Sequence, residues 1–194
     1  EFNETVQMTV EWYRQYVTAI LQRDIQDIAQ IEQMEALPGL LRMLGQYSAQ
    51  LVNYSQIGAP VDLNHVTTRK YLGIFENLFF VHTLLPWYSN KLSRLIKTPK
   101  LHFYDTGLLA SVNALTPDQA HQDRTVFGSL LESFVFSELI KHAGWSEDNY
   151  TFSHYRDKDK REVDFVIENS AGQIVGVEVK AASTVTAKDF SGLR

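Results

Sequence analysis

Apolar side chains recur every three or four residues along the first part of the chain. Over residues 4–35 this spacing predicts a long amphipathic helix. Pro38-Gly39 predicts an interruption, and the apolar spacing then predicts a second helix over residues 40–52. The Gly58-Ala59-Pro60 turn is predicted to end this helical region.

The pattern changes after residue 61. Asp62-Leu63-Asn64 can cap a helix that runs to Glu76, and residues 78–84 are aromatic and β-branched enough to form a strand. Residues 91–100 are a basic loop or short helix, and residues 100–104 alternate like a returning strand. Helix, turn, helix and a two-stranded ribbon follow the order of a winged helix-turn-helix.

A polar segment separates the two halves of the chain. Residues 116–124 contain Pro117 and show no apolar repeat, which indicates a domain boundary. The predicted units are linker helices over residues 1–36, a winged-helix-like domain over residues 37–115 and a C-terminal domain over residues 125–194.

The second half predicts one helix followed by three strands. Residues 126–142 are amphipathic, and strand-like runs cover residues 150–156, 162–168 and 174–180, with a turn at 169–173. The start of a further helix is predicted at residues 186–194. The whole chain is therefore predicted to be an α/β (α+β) protein.

Composition narrows the class of protein. The chain has 194 residues with 44% hydrophobic and 21% charged residues, which is typical of a globular protein. It has no cysteine, so disulfides and thiolate metal sites are excluded, and this suits the cytoplasm. No apolar run is long enough to span a bilayer. A net charge of −5 argues against a strongly cationic DNA-coating protein. The absence of an initiator Met predicts a fragment of a longer protein.

Two predicted strands carry acidic and basic side chains at alternate positions. Glu178 and Lys180 share one face of the last strand, and Asp164 lies on the polar face of the strand before it. If these strands are adjacent, the three side chains converge. Asp164 and Glu178 would supply the oxygen ligands that Mg²⁺ or Mn²⁺ prefers. Lys180 would position the attacking water or help to deprotonate it.

The preceding helix offers a further acid. Glu132 lies at the margin of the helix's apolar arc, where its side chain can reach the edge of the sheet. Glu138 lies nearer the centre of the arc and is the second choice for this role. The arc itself is formed by Phe127, Leu130, Leu131, Phe134, Val135 and Leu139.

The order of these motifs resembles a known superfamily. Gly128-Ser129-x-x-Glu132, Val163-Asp164 and Val177-Glu178-Val179-Lys180 resemble the PD-(D/E)XK nucleases, including archaeal Holliday-junction resolvases. Nearly the whole chain also resembles the region that follows the ATPase module in a family of prokaryotic AAA+ ATPases. The residues that carry this second resemblance are Tyr71-Leu72 with Leu78, Lys100-Leu101, Asp105 to Leu109, Leu131-Glu132, Tyr155-Arg156, Glu162 to Phe165 and Glu178 to Lys180.

The resemblance implies a PD-(D/E)XK-like αβββ core and Mg²⁺-dependent hydrolysis of DNA. It implies Asp164 and Glu178 as metal ligands with the Val179 carbonyl as a third, Lys180 as the catalytic amine and Glu132 as a supporting acid. In that superfamily the nuclease core normally continues with a helix and a further strand, whereas this chain stops at Arg194. ATP would bind only in a missing upstream AAA+ domain, since the chain lacks a Gly-x-x-x-x-Gly-Lys-Ser/Thr loop.

Several basic residues are candidates for contacts with DNA. Arg69 and Lys70 lie on the predicted recognition helix. Lys158 and Lys160 lie in a charged run that is more typical of a solvated hairpin turn than of a phosphate site. The competing hypothesis is a non-enzymatic DNA- or protein-binding module that directs an ATPase. A toxin–antitoxin or defence partner is a third hypothesis. A homo-oligomer is compatible with the sequence.

Overall fold

The structure, a computed structural model, is a mixed α+β protein with two small antiparallel sheets. It describes residues 5–23, 31–88, 98–157, 161–182, 184 and 186. The described helices are α1 (Val6–Arg23), α2 (Leu37–Gln46), α3 (Tyr54–Gly58), α4 (His65–Asn77), α5 (Thr106–Val112), α6 (Pro117–Gln122) and α7 (Arg124–Gly144). The strands are β1 (Val81–Leu84), β2 (Lys100–Phe103), β3 (Tyr150–Arg156), β4 (Glu162–Asn169) and β5 (Ile174–Val177).

The helices of the first half differ from the predicted ones at their ends. The predicted break between the first two helices is present but lies before Leu37, because Pro38 lies in the first turn of α2, where a helix does not need the missing N–H. Helix α2 ends at Gln46 rather than at residue 52, and Leu51 forms an isolated antiparallel bridge with Lys100. The predicted first helix is confirmed as α1 up to Arg23, but Met34–Ala36 form a 3₁₀ turn.

Helix α4 has the predicted cap. The Asn64 side chain accepts hydrogen bonds from the backbone N–H groups of Val66 and Thr67, both at 3.0 Å. Strands β1 and β2 then pair antiparallel, with Val81 opposite Phe103. Most of the basic segment predicted at residues 91–100 lies outside the described residues.

Strand β2 separates two hydrophobic clusters. Leu101 and Phe103 belong to the larger cluster, which is formed by α1 to α5 and β1. Because side chains alternate along a strand, Lys100 and His102 point to the opposite side. On that side lies the smaller cluster, whose buried members are Leu84, Phe136 and Phe165.

The second half forms a three-stranded sheet in the order β3–β4–β5. Phe165 in β4 lies opposite Val177 in β5, so the predicted adjacency of the last two strands is confirmed. Strand β5 ends at Val177, three residues before its predicted end. The described residues include no helix that is long and apolar enough to cross a membrane. Of the helix predicted at residues 186–194, only Thr186 lies within the described residues.

Backbone and side-chain hydrogen bonds join the two halves. The N–H of Trp87 donates to the carbonyl of His154 at 2.6 Å, and the N–H of His154 donates to the carbonyl of Leu85 at 3.0 Å. The buried hydroxyls of Ser48 and Ser133 lie 2.8 Å apart. The segment after β1 therefore lies beside β3, and the segment after α2 lies beside α7.

Candidate functional site

Lys100 lies at the centre of the candidate site. Its side chain extends from the start of β2 towards α7 and β4, and the residue is only 2% exposed. The Nζ atom lies 2.5 Å from Glu132 Oε1, 2.8 Å from Asp164 Oδ1 and 3.1 Å from Glu162 Oε1. One buried ammonium is therefore surrounded by three carboxylates from another part of the chain.

The alternation of β2 explains why a lysine is buried here. Leu101 and Phe103 are fully buried in the larger cluster, so the strand must turn Lys100 towards α7 and β4. An unpaired ammonium in this position would be very costly, and paired carboxylates reduce that cost.

Asp164 uses both of its carboxylate oxygens. Oδ1 accepts from the ammonium of Lys100, and Oδ2 accepts from the backbone N–H of Val179 at 2.9 Å. The residue is 6% exposed. Asp164 therefore connects Lys100 to the segment that follows β5.

Glu178 and Lys180 form a pair next to Asp164. Lys180 Nζ donates to Glu178 Oε1 at 2.5 Å, with 11% of the Glu178 side chain exposed. Burial raises the pKa of Glu178, and the negative charge of Asp164 adds to the shift. Among the described residues, no group hydrogen-bonds the buried Oε2 atom of Glu178.

The structure thus brings the four predicted residues into two groups. Glu132 and Asp164 meet around Lys100, whereas Glu178 and Lys180 contact each other. The polar face predicted for β4 is not open, because the Lys100 side chain covers it.

The electrostatics of the cluster follow from its burial. Burial alone would lower the pKa of Lys100, but attraction to Glu132 and Asp164 outweighs it and raises the pKa above its ordinary value. Burial raises the pKa of Glu132 to about 8 despite the nearby ammonium, and the charges of Asp164 and Glu162 add to this. Lys100 therefore remains charged, and Glu132 takes up a proton at a higher pH than a glutamate ordinarily does.

His102 borders the same cluster. Its ring stacks on Phe136 with centroids 4.9 Å apart, and its Nδ1 atom lies 3.5 Å from the hydroxyl of Ser133. Its Nε2 atom lies 3.7 Å from Glu132 Oε1. Burial, together with the charge of Lys100, holds the pKa of His102 well below its ordinary value, so the ring is neutral.

The implied magnesium ion does not fit this arrangement. Within the described ranges, no group of three or more His, Asp or Glu side chains is placed to hold a metal ion. The oxygens around Lys100 Nζ lie at 2.5 to 3.1 Å, which are N–H···O distances. Mg²⁺ requires oxygens at about 2.0–2.1 Å. The role of Asp164 and Glu178 as metal ligands therefore stays a prediction.

The other predicted site residues lie apart from the cluster. Arg69 and Lys70 are exposed on α4. Lys158 and Lys160 lie outside the described residues. Glu138, the second choice for the helical acid, has 39% of its side chain exposed and pairs with Lys141 at 2.6 Å.

Lys100, His102 and Glu162 were not predicted from the sequence to be members of the site. Lys100 and His102 alternate with Leu101 and Phe103 in a short apolar strand. That alternation was the available signal, because a charged residue in such a strand needs a counter-charge when the strand is buried on both faces.

The buried imidazole of His154 should make the free energy of unfolding depend on pH. Burial lowers its pKa from 6.5 to about 4, so in the range between these values protonation favours the unfolded chain. The contribution of His154 alone should therefore lower the free energy of unfolding by roughly 3 kcal/mol as pH drops from 6.5 to 4. Urea unfolding across this range tests it by comparing the native protein with His154→Gln, which removes the contribution of this ring alone. Parallel pH profiles for the two proteins would contradict the prediction.

Comparisons with known proteins relate the two halves to two families. Residues 2–119 match the family described as Domain of unknown function (DUF8612), and residues 127–194 match Domain of unknown function (DUF4143). The second family is found in C-terminal regions associated with AAA ATPases. No solved structure matches the chain at a significant level.

Two mycobacterial relatives are longer than this chain. It is 28% identical over 173 residues to an uncharacterized protein of Mycobacterium tuberculosis and to one of Mycobacterium bovis. The match covers 89% of this chain but 38% of each relative, so the chain spans less than two fifths of their length. Because the first family model covers more than half of the chain, the protein belongs to the DUF8612 family.

Proposed function

We propose that this chain is the C-terminal region of an AAA+ ATPase and that it binds DNA for that motor without cleaving it. The match to a family found in AAA-associated regions supports the first part. In this proposal the first half is winged-helix-like and the second half has a PD-(D/E)XK-like core that acts as a scaffold.

The position of Lys100 is the observation that carries the non-hydrolytic role. Its ammonium contacts Glu132 and Asp164, the two acids that the resemblance would assign to catalysis. While these contacts persist, neither acid is available to position an ion or a water molecule. The cluster then holds the protein together rather than performing chemistry.

The order of elements in the first half supports DNA binding. A short helix, a turn and α4 precede the β1–β2 ribbon, which is the order of a winged helix. Arg69 and Lys70 are exposed on α4. The sequence between β1 and β2 adds Lys91, Arg94 and Lys97. In this proposal these cations contact DNA phosphates, which position a protein on the duplex.

Charge reversal on α4 tests the proposal. Arg69→Glu combined with Lys70→Glu should weaken binding to a duplex by at least about tenfold. It should also reduce the slope of log affinity against log salt concentration by the amount that about two phosphate contacts contribute. Fluorescence anisotropy across a salt series measures both quantities.

The control is Lys141→Glu, which reverses an exposed cation on α7 rather than on α4. It should leave the affinity unchanged within about twofold. Equal affinities for the native protein and the α4 double variant would refute DNA binding through this helix.

Metal-dependent DNA hydrolysis is a second candidate function. It is favoured by the position of Glu178, which follows β5 beside Asp164 and keeps one buried oxygen without a hydrogen bond among the described residues. The nearby Lys180 would supply the amine. For this function Lys100 would have to leave Glu132 and Asp164.

A further inference from the structure

We propose that Glu132, Glu162 and Asp164 form a binding site for a small organic ammonium, and that Lys100 is its built-in occupant. Lys100 then permanently fills the position among these acids that a metal ion would otherwise occupy. This inference concerns only the acidic cluster, so it stands or falls independently of DNA binding.

The geometry matches an ammonium in the number of acidic side chains that surround it. A lysine ammonium has three N–H donors, and three different carboxylates lie 2.5, 2.8 and 3.1 Å from Lys100 Nζ. The contacts with Asp164 and Glu162 are hydrogen bonds, whereas the contact with Glu132 is an ion pair whose Oε1 atom has no hydrogen-bond partner among the described residues. Contraction by roughly half an ångström or more would be needed for most of these oxygens to bind Mg²⁺.

A second observation points into the same site. His102 is fully buried, and its Nε2 atom has no hydrogen-bond partner within the part of the chain that the structure describes. This atom lies 3.7 Å from Glu132 Oε1 and so faces the cluster. A buried polar atom without a partner is rare in folded proteins, and here it adds a further polar group to the wall of the site.

The surrounding charges also favour a resident cation. Three acidic side chains share one ammonium, and among the described residues Arg156 adds a second cation, with its Nη1 atom 3.6 Å from Glu162 Oε2. With Lys100 removed, the acids would repel one another in a buried setting. Lys100 comes from β2 while the acids come from α7 and β4, so the bound cation also joins the two halves.

Chemical rescue of Lys100→Ala tests the site. This substitution removes the atoms from Cγ to Nζ, whose shape is that of n-propylammonium. At about ten times its Kd, n-propylammonium should raise the Tm of Lys100→Ala by about 3–6 °C. n-Propanol, which has nearly the same shape without the charge, should not.

The native protein and Lys141→Ala, at matched ionic strength, control for general salt effects. Neither should gain stability from n-propylammonium. A Lys100→Ala protein that responds equally to n-propanol would overturn the proposal. So would one that is stabilised selectively by MnCl₂ and not by the ammonium.

A charge-balanced variant covers the case in which Lys100→Ala does not fold. Lys100→Ala combined with Glu162→Gln removes one charge of each sign and keeps Glu132 and Asp164. It should show the same selective rise in Tm, and adding Asp164→Asn should abolish that rise. If this variant stays unfolded even with n-propylammonium present, the proposal fails.

Discussion

Replacing Lys100 with Met should lower the free energy of unfolding by about 3–5 kcal/mol at pH 7.5. The substitution keeps most of the side-chain volume but leaves Glu132, Glu162 and Asp164 without their shared ammonium. Because burial already raises the pKa of Glu132 to about 8, this acid is mostly protonated at pH 7.5, so the loss falls chiefly on Asp164 and Glu162. Urea unfolding monitored by tryptophan fluorescence measures it.

Lys141→Met is the matched control for this prediction. Lys141 also contacts a glutamate, at 2.6 Å, but 53% of its side chain is exposed. An exposed pair of this kind contributes about 0–1 kcal/mol. Similar losses for the two variants would mean that the Lys100 cluster adds no more than a surface ion pair.

Phe136→Ala should destabilise the protein by about 3–5 kcal/mol. Phe136 is fully buried. Its ring lies 4.9 Å from that of His102, 5.3 Å from that of His82 and 6.0 Å from that of Phe165, measured between centroids. Its removal would leave a cavity where β1, β2 and β4 meet α7. Calorimetry or urea unfolding measures the loss.

Phe134→Ala provides the control on the same helix. Phe134 is 49% exposed, so its truncation should cost less than about 1 kcal/mol. A loss for Phe134→Ala as large as that for Phe136→Ala would contradict the packing of α7 described here.

Elements with strong local signals were predictable from the sequence. Asn64 is a preferred capping residue, and its side chain does cap α4. Alternation along residues 162–168 and 174–180 predicted that Asp164 and Glu178 would lie close together if the two strands were adjacent, and the β4–β5 pairing shows this adjacency, although Glu178 follows β5. Both predictions rest on local periodicity and capping, which depend little on distant parts of the chain.

The contact between Lys100 and the acidic side chains of the site could not be predicted in the same way. Lys100 and Asp164 are 64 residues apart in sequence, so their contact depends on how β2 packs against α7 and β4. The apolar arc of α7 was misjudged for a similar reason. Phe134 was placed in it, but at 49% exposure it is only half covered in the structure. The spacing of apolar residues along α7 does not indicate which of them the neighbouring elements cover.

A DNA cleavage assay tests the central claim that the Lys100 ammonium, rather than a catalytic metal, fills the acidic cluster. Supercoiled plasmid would be incubated with Mg²⁺ or Mn²⁺ and either the native protein or Asp164→Asn, after unfolding curves show that both are folded. We expect the same residual nicking for the two proteins, with Lys180→Ala at the same level. Metal-dependent nicking by the native protein that is lost in Asp164→Asn and in Lys180→Ala would contradict it.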